Sequence, residues 1–198
     1  MRMRAFLAGF TLLLGLWPAL AAGEGGNWYI GAGAGQSNYR EICPYFESLS
    51  WSSDCDDEEV GWKVFVGRDF SNYFGLEMSY ADPGTAEITG PASAPGTLGV
   101  HSRLVSLQGK LEIPIGKLLT VLAKAGLTYF KVDYERTGSY SVLNSGDDGL
   151  EPSIGLGVGV NLSRRVAIRA EWENFNDAVG GTGQGNIEMV TASLLYRF

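Results

Sequence analysis

The sequence has 198 residues, including 28 glycines, and a formal net charge of -7 at pH 7. Phosphate binding needs a stripe of basic residues, so this acidic composition argues against a nucleic-acid partner. A mean hydropathy near zero fits a secreted soluble β-sandwich as well as a membrane protein, so the order of the residues has to separate the two.

The first 22 residues have the three parts of a secretory signal peptide. Arg2 and Arg4 precede an apolar run over 5–16, and small residues at 18–22 predict cleavage after Ala21 or Ala22. The apolar run is shorter than the roughly 18 residues that a spanning helix needs. The leader holds 2 of the 15 basic residues, which leaves 13 basic against 22 acidic residues, or -9, from residue 23 onward. Export without a helical anchor predicts a periplasmic, secreted or outer-membrane protein.

From Asn27 onward, eight segments alternate between apolar residues and polar residues or glycine. In chain order they cover 28–35, 62–69, 74–80, 105–113, 119–129, 153–162, 166–173 and 189–198. A period of two residues predicts β-strands. Each segment has about the length that a tilted strand needs to cross the apolar layer of a membrane.

The connections between these segments alternate in length. Short links cover 70–73, 114–117 and 163–164, and long ones cover 37–59, 82–102, 136–150 and 176–185. Short turns on one rim and long loops on the other are typical of an outer-membrane barrel whose short turns are periplasmic. We therefore predict an all-β fold, an eight-stranded antiparallel up-and-down transmembrane β-barrel over residues 23–198 with both termini periplasmic.

Charged residues recur on the strand face opposite to the apolar row. They are Lys63, Asp69, Glu77, Lys110, Glu112, Lys124, Arg169 and Glu171. In an eight-stranded barrel this face lines an interior just wide enough to be filled by side chains, where charges are tolerated when they are paired. We predict that these eight residues form a charge network in the lumen.

The chain ends on an aromatic residue, Phe198, two positions after Tyr196. A soluble domain gains little from aromatics at a frayed terminus, whereas a transmembrane barrel places aromatic girdles at both interfaces.

Several stretches resemble the first three strands of OmpA-like outer-membrane β-barrel domains, including the opacity-protein type. They are Trp28-Tyr29-Ile30-Gly31-Ala32, Cys55-Asp56-Asp57, Gly61-Trp62-Lys63-Val64-Phe65-Val66-Gly67, Asn72-Tyr73-Phe74-Gly75-Leu76-Glu77 and Ser79-Tyr80. The resemblance implies an alternative use of the lumen as a small gated pore for ions or small solutes, opened by a switchable charge pair. We expect no wall-tethering role, because no peptidoglycan-binding domain follows the barrel.

Thr191, Tyr196 and Phe198 are similar to the C-terminal signal that the outer-membrane assembly machinery reads in this family. Ser193 stands where glycine is usual, and Arg68 stands where an aromatic residue is common.

The first long loop holds Cys43 and Cys55. An exported protein meets an oxidising compartment, so we predict a disulfide between them, which constrains the unfolded chain by roughly 3 kcal/mol. The acidic residues beside Cys55 lack the spacing of a glycine-turned calcium loop, and we predict a solvated surface and no metal site. Tyr45, Phe46 and Trp51 give this loop more apolar area than solvation requires, which predicts either rim packing or a partner surface.

The sequence gives little indication of a catalytic site. The only histidine, His101, adjoins Ser102, and neighbouring residues of a strand point to opposite faces. A lipid hydrolase needs its hydroxyl and its base within reach of each other. We predict no enzyme and no cofactor, with a lipid-modifying barrel enzyme as a third alternative.

The sequence therefore predicts a structural and surface-presenting outer-membrane scaffold, a monomer in contact with outer-membrane lipid, lipopolysaccharide and the assembly machinery. Its long loops are candidates for adhesion or for binding a host or other extracellular ligand, whose identity loop sequences do not reveal.

Overall fold

The computed structural model describes residues 27–40, 43, 54–90, 96–138, 147–176 and 185–198. Ten strands account for nearly all of them: β1 (Asn27–Tyr39), β2 (Asp54–Asp56), β3 (Glu58–Asp69), β4 (Phe74–Asp82), β5 (Thr85–Thr89), β6 (Gly96–Ile115), β7 (Leu119–Gly138), β8 (Asp147–Asn161), β9 (Val166–Phe175) and β10 (Ile187–Arg197). Across these segments, no helix is long and apolar enough to cross a membrane. The predicted signal peptide and the loop residues Tyr45, Phe46 and Trp51 lie outside the described residues and stay predictions.

Eight of the strands close into an antiparallel barrel. Their order around the barrel is β1, β3, β4, β6, β7, β8, β9 and β10, and β10 pairs again with β1 from Tyr29 opposite Arg197 to Tyr39 opposite Ile187. Closure leaves no unpaired edge among these strands over most of their length. The predicted all-β, eight-stranded up-and-down barrel is confirmed.

The apolar side chains of the strands lie on the outer surface of the barrel. Met78, Leu156 and Leu194 are 47%, 57% and 59% exposed, whereas Glu77, next to Met78 on the same strand, is buried. The alternation of a strand explains this arrangement, because successive side chains point to opposite faces. An outward apolar band of this kind is typical of a lipid-facing surface.

Three short turns join strands at one rim, which we call the short-turn rim. At two of them a serine caps the turn: Ser71 Oγ accepts from Phe74 N at 3.0 Å, and Ser163 Oγ accepts from Val166 N at 3.0 Å. The third turn contains Gly116 with a φ of 72°, a conformation that favours glycine. Both the first and the last barrel strand also meet this rim, where Phe198 N donates to Trp28 O at 3.0 Å.

The opposite rim, the long-loop rim, is more ordered than the sequence predicts. The segments 37–59 and 82–102 are predicted as loops, but β2 and β5 lie within them, and β5 pairs with the beginning of β6 from Thr85 opposite His101 to Thr89 opposite Thr97. Strands β6 and β7 have 20 residues each, about twice what crossing an apolar layer requires. The sheet therefore extends beyond the lipid-facing band at this rim.

Candidate functional site

Six charged side chains form the centre of the lumen. Lys63 pairs with Glu171 at 2.7 Å and with Glu173 at 2.5 Å, and Arg169 pairs with Glu77 at 2.7 Å and with Glu171 at 3.3 Å. Lys124 pairs with all three carboxylates, at 3.0 Å from Glu77 and 2.7 Å from both Glu171 and Glu173. All six are buried. Three cations face three carboxylates, so this central cluster is neutral as a whole.

A second cluster lies closer to the short-turn rim. Lys110 pairs with Asp69 at 2.8 Å and with Glu112 at 2.7 Å, and Arg197 lies 3.6 Å from Glu112. Arg197 also donates to Asn161 Oδ1 at 2.9 Å. This lower cluster has two cations and two carboxylates and is therefore also balanced.

Two aromatic rings pack against the charged side chains: Tyr29 contacts both clusters, and Phe65 contacts the central one. The hydroxyl of Tyr29 donates to Glu77 Oε2 at 2.9 Å, while Lys110 Nζ lies 4.3 Å from the centre of the Tyr29 ring. The guanidinium of Arg169 lies 4.8 Å from the centre of the Phe65 ring. Gly67 makes room for this packing, because a Cβ there would lie 2.2 Å from Cζ of Tyr29.

The eight residues predicted to form one network thus fall into two clusters, and the prediction missed two members. Glu173 lies two residues after Glu171, and Arg197 two residues after Leu195, so alternation places both on the inner face of their strands. This alternation is the sequence feature that identifies them as lumen residues. Alternation does not predict which cation pairs with which carboxylate, because the pairing depends on how far neighbouring strands are shifted along one another.

Above the central cluster the lumen is polar but uncharged. Ser106 Oγ and Thr128 Oγ1 lie 2.7 Å apart, Thr128 Oγ1 donates to Ser153 Oγ at 2.8 Å, and Gln108 Nε2 donates to the same serine at 3.1 Å. Thr191, one of the predicted assembly-signal residues, is also buried in the lumen.

An apolar layer lies across the long-loop end of the lumen. Strands on almost every side contribute to it: Tyr39, Ala81, Ala86, Ile88, Leu98, Val100, Leu104, Phe130, Val132, Phe175, Ile187 and Met189. Tyr39 is anchored at this level by a hydrogen bond to Gly84 O at 2.6 Å. This layer is not predicted from the sequence, because several of its residues lie in segments predicted as loops.

The short-turn end of the lumen is open. A cavity of about 720 Å³ enters there, with Asn27, Asp69, Glu112 and Arg197 among its lining residues. The lumen is thus a vestibule at one end, two charge clusters and a polar layer in the middle, and an apolar layer at the other end.

The predicted disulfide between Cys43 and Cys55 is present, with 5.7 Å between the Cα atoms. It ties the first loop to β2, which pairs with β5 from Asp54 opposite Thr89 to Asp56 opposite Glu87. Within the described ranges, no group of three or more histidine, cysteine or acidic side chains could hold a metal ion.

His101 and Ser102 lie on opposite faces of β6, as alternation predicts. His101 Nε2 lies 3.0 Å from Asp82 Oδ1 and is partly exposed, whereas Ser102 is fully buried and its N–H donates to Tyr39 Oη at 3.4 Å. This geometry does not bring the serine hydroxyl to the imidazole.

The C-terminal aromatics lie on the lipid-facing side. Tyr196 and Phe198 are 40% and 69% exposed, and their rings pack edge to face with centres 5.4 Å apart. Ser193 points inward opposite Gly33, where a Cβ would lie 2.1 Å from the serine Oγ. The absence of a side chain at Gly33 on the partner strand leaves room for the serine.

Comparisons with known proteins agree with this architecture. A family model described as the OmpA-like transmembrane domain matches residues 24–198. No curated protein sequence matches the chain. Among solved structures, Ail, the attachment invasion locus protein of Yersinia pestis, in complex with the heparin analogue sucrose octasulfate, has a TM-score of 0.56 at 15% identity, covering 87% of this chain and 99% of that one.

Two further barrels are similar. Neisserial surface protein A has a TM-score of 0.56 at 12% identity, covering 88% of this chain and 100% of that one. The N-terminal β-barrel domain of Pseudomonas aeruginosa OprF has a TM-score of 0.50 at 15% identity, covering 87% and 99%. At such identities the likeness describes the fold alone.

Proposed function

This chain belongs to the OmpA-like transmembrane domain family and is an integral outer-membrane β-barrel, and from that premise we propose that it is a non-conducting scaffold that presents an acidic surface outside the cell. In this proposal the short-turn rim and both termini are periplasmic. The barrel is a monomer surrounded by outer-membrane lipid and lipopolysaccharide, and it has no enzymatic activity.

The filled lumen is the observation that carries the scaffold proposal. An ion that entered the vestibule would meet the lower cluster, the central cluster and then the apolar layer formed by residues such as Leu104, Phe130 and Ile187. Opening one charge pair would still leave the apolar layer in place, and moving a bare ion into such surroundings is strongly unfavourable. This argues against the alternative of a pore gated by a charge pair.

We expect purified barrel in a planar bilayer to show no discrete conductance. The variant Arg169→Ala should also show no conductance, because the substitution breaks ion pairs of the central cluster and leaves the apolar layer unchanged. Single-channel recording at equal protein insertion measures this, with insertion checked by heat-modifiable gel mobility. Discrete conductance steps in the unsubstituted protein, or steps that appear in Arg169→Ala, would favour the gated pore.

The long-loop rim determines which partner the scaffold suits. Its described residues include many more acidic than basic residues. The acidic residues are Asp56, Asp57, Glu58, Glu59, Asp82, Glu87, Asp133, Glu135, Asp147, Asp148 and Glu188, and the basic residues are Arg40, Arg103, Lys131 and Arg136. Arg40 and Arg103 are each paired with a carboxylate, Glu188 at 2.9 Å and Asp133 at 3.3 Å. A surface of this sign attracts cationic partners and repels polyanions.

We therefore propose that the adhesive partner is a cationic protein or peptide. Ail of Yersinia pestis was solved with a sulfated heparin analogue, but a polyanion finds no comparable excess of basic groups on the described part of this rim. Tyr45, Phe46 and Trp51 of the first loop remain the predicted apolar part of the same contact surface.

A labelled oligolysine peptide should bind the barrel in lipid nanodiscs, with binding that weakens as salt rises, and sucrose octasulfate should not bind. Neutralising three exposed acids together, Glu58→Gln, Glu87→Gln and Glu135→Gln, should weaken peptide binding about tenfold, from roughly 0.5 kcal/mol for each exposed charge contact. Fluorescence anisotropy measures both ligands. The matched control is Arg164→Gln at the short-turn rim, which should leave binding unchanged. Binding of sucrose octasulfate in preference to oligolysine would contradict the proposal.

A further inference from the structure

Arg68 is a charged residue in the outward-facing row of β3. It lies near the end of β3 at the short-turn rim, opposite Trp28 on β1 and Leu76 on β4, and its side chain is exposed on the lipid-facing side. A charged group in this row is costly at the middle of the bilayer and is tolerated near the interface, where Arg68 lies.

Two aromatic rings hold the guanidinium of Arg68 in place. Its central carbon lies 5.5 Å from the centre of the Trp28 ring and 5.8 Å from the centre of the Phe70 ring, within the range of cation–π attraction. Neither ring offers an oxygen that could accept a hydrogen bond, so these contacts leave the N–H donors of the guanidinium available for another partner.

Among the described residues, Arg68 has no carboxylate partner. This sets it apart from the exposed arginines of the long-loop rim, Arg40 and Arg103, which are both paired with acids. Asp69, the next residue, points into the lumen and pairs with Lys110. No carboxylate of the described residues therefore neutralises the positive charge of Arg68 at the level of the membrane interface.

The rest of the short-turn rim has the same sign. Lys117, Arg164 and Arg165 lie in its turns, while the acids at this end, Asp69 and Glu112, bind Lys110 inside the vestibule. An anion that approaches from the lipid side meets exposed rings and cations that pair with no acid among the described residues.

We propose that Arg68, in contact with the rings of Trp28 and Phe70, binds the headgroup phosphate of an anionic glycerophospholipid. Arginine forms short, charge-assisted hydrogen bonds with phosphate, and aromatic residues at this depth lie against the adjoining glycerol and upper acyl chain. The site is in the leaflet next to the short-turn rim. This leaflet is the periplasmic one if the barrel has the orientation given in the proposed function.

Native mass spectrometry of the barrel in detergent with added phosphatidylglycerol or phosphatidylcholine tests this site. The unsubstituted barrel should retain phosphatidylglycerol in preference to phosphatidylcholine, and Arg68→Gln should weaken phosphatidylglycerol binding about tenfold, as expected for one charge-assisted contact. Arg68→Lys keeps the charge but lacks the planar group, so its affinity should be intermediate. Arg103→Gln, a matched control at the other rim, should bind like the unsubstituted barrel.

Unchanged phosphatidylglycerol affinity in Arg68→Gln, or an equal loss in Arg103→Gln, would overturn the site. Heat-modifiable mobility verifies that each variant is folded, and Arg68→Lys keeps the test valid if glutamine impairs folding.

The leaflet is tested separately by labelling Arg68→Cys in cells with a membrane-impermeant maleimide. Labelling should require permeabilised outer membrane. Labelling of intact cells would overturn the orientation in the proposed function and the leaflet, but would leave lipid binding in detergent as an independent result.

Discussion

Replacing Lys124 by methionine should lower the free energy of unfolding of the detergent-refolded barrel by about 3–5 kcal/mol, the usual effect of removing one partner from a buried ion pair. The ammonium group of Lys124 touches three carboxylates within 3.0 Å, and its side chain has no exposed surface. Methionine has a similar length, so little packing is lost. Three buried carboxylates then face two cations, and the unbalanced negative charge is what destabilises the barrel. Urea unfolding followed by tryptophan fluorescence measures the change.

A second substitution separates charge balance from packing. Adding Glu173→Gln to Lys124→Met restores a neutral cluster of two cations and two carboxylates, so the double variant should regain more than half of the lost stability. Lys131→Met, an exposed lysine on the same strand, should change the free energy of unfolding by less than about 0.5 kcal/mol. A loss of under about 1 kcal/mol in Lys124→Met, with no recovery in the double variant, would contradict a dry network and indicate solvated charges.

The strands and their faces could be predicted from the sequence because alternation is a local property. The row Ile154, Leu156, Val158 and Val160 is apolar wherever the strand lies, and the structure exposes it. The short turns were equally visible, because serine and glycine at 71, 116 and 163 meet local backbone requirements.

The grouping of the charges could not be predicted in this way. Lys63 and Glu171 are 108 residues apart and meet at 2.7 Å because neighbouring strands are shifted along one another as the barrel closes. Inward parity makes Lys63 and Lys110 equivalent, but the closed barrel puts them at different heights with Tyr29 between the two clusters.

The apolar layer was missed for a related reason. Ile88 and Leu98 occur among glycines and prolines in the segment 82–102, which reads as a loop when it is considered alone. Pairing of β5 with β6 places Ile88 directly opposite Leu98 and turns both inward. A long-range pairing thus creates a buried surface from residues whose local pattern is weak, and this layer is the part of the site that bears most on conduction.

Removing Phe198 should deplete the barrel from the outer membrane of cells while leaving its refolding in detergent largely intact. We propose that Phe198, with Tyr196 and Thr191, is read by the assembly machinery on the unfolded chain. In the folded barrel Phe198 contributes one backbone hydrogen bond to Trp28 and an edge-to-face contact with Tyr196, and it is 69% exposed. Burial of so little of the ring stabilises the barrel by at most about 1–2 kcal/mol. Eight strand pairings close the barrel, and it should still fold after losing this contribution.

Phe70→Ala is the matched control for this experiment, because Phe70 is an exposed phenylalanine at the same rim, 64% exposed, but it is far from the C-terminus along the sequence. Both variants should show similar small losses in urea unfolding after refolding in detergent. Only the truncated chain should disappear from the outer-membrane fraction and accumulate as periplasmic degradation products, because only it lacks the terminal residue that the machinery binds. Normal outer-membrane levels of the truncated protein, or equal depletion of Phe70→Ala, would instead make Phe198 an interface anchor of the same kind as Phe70.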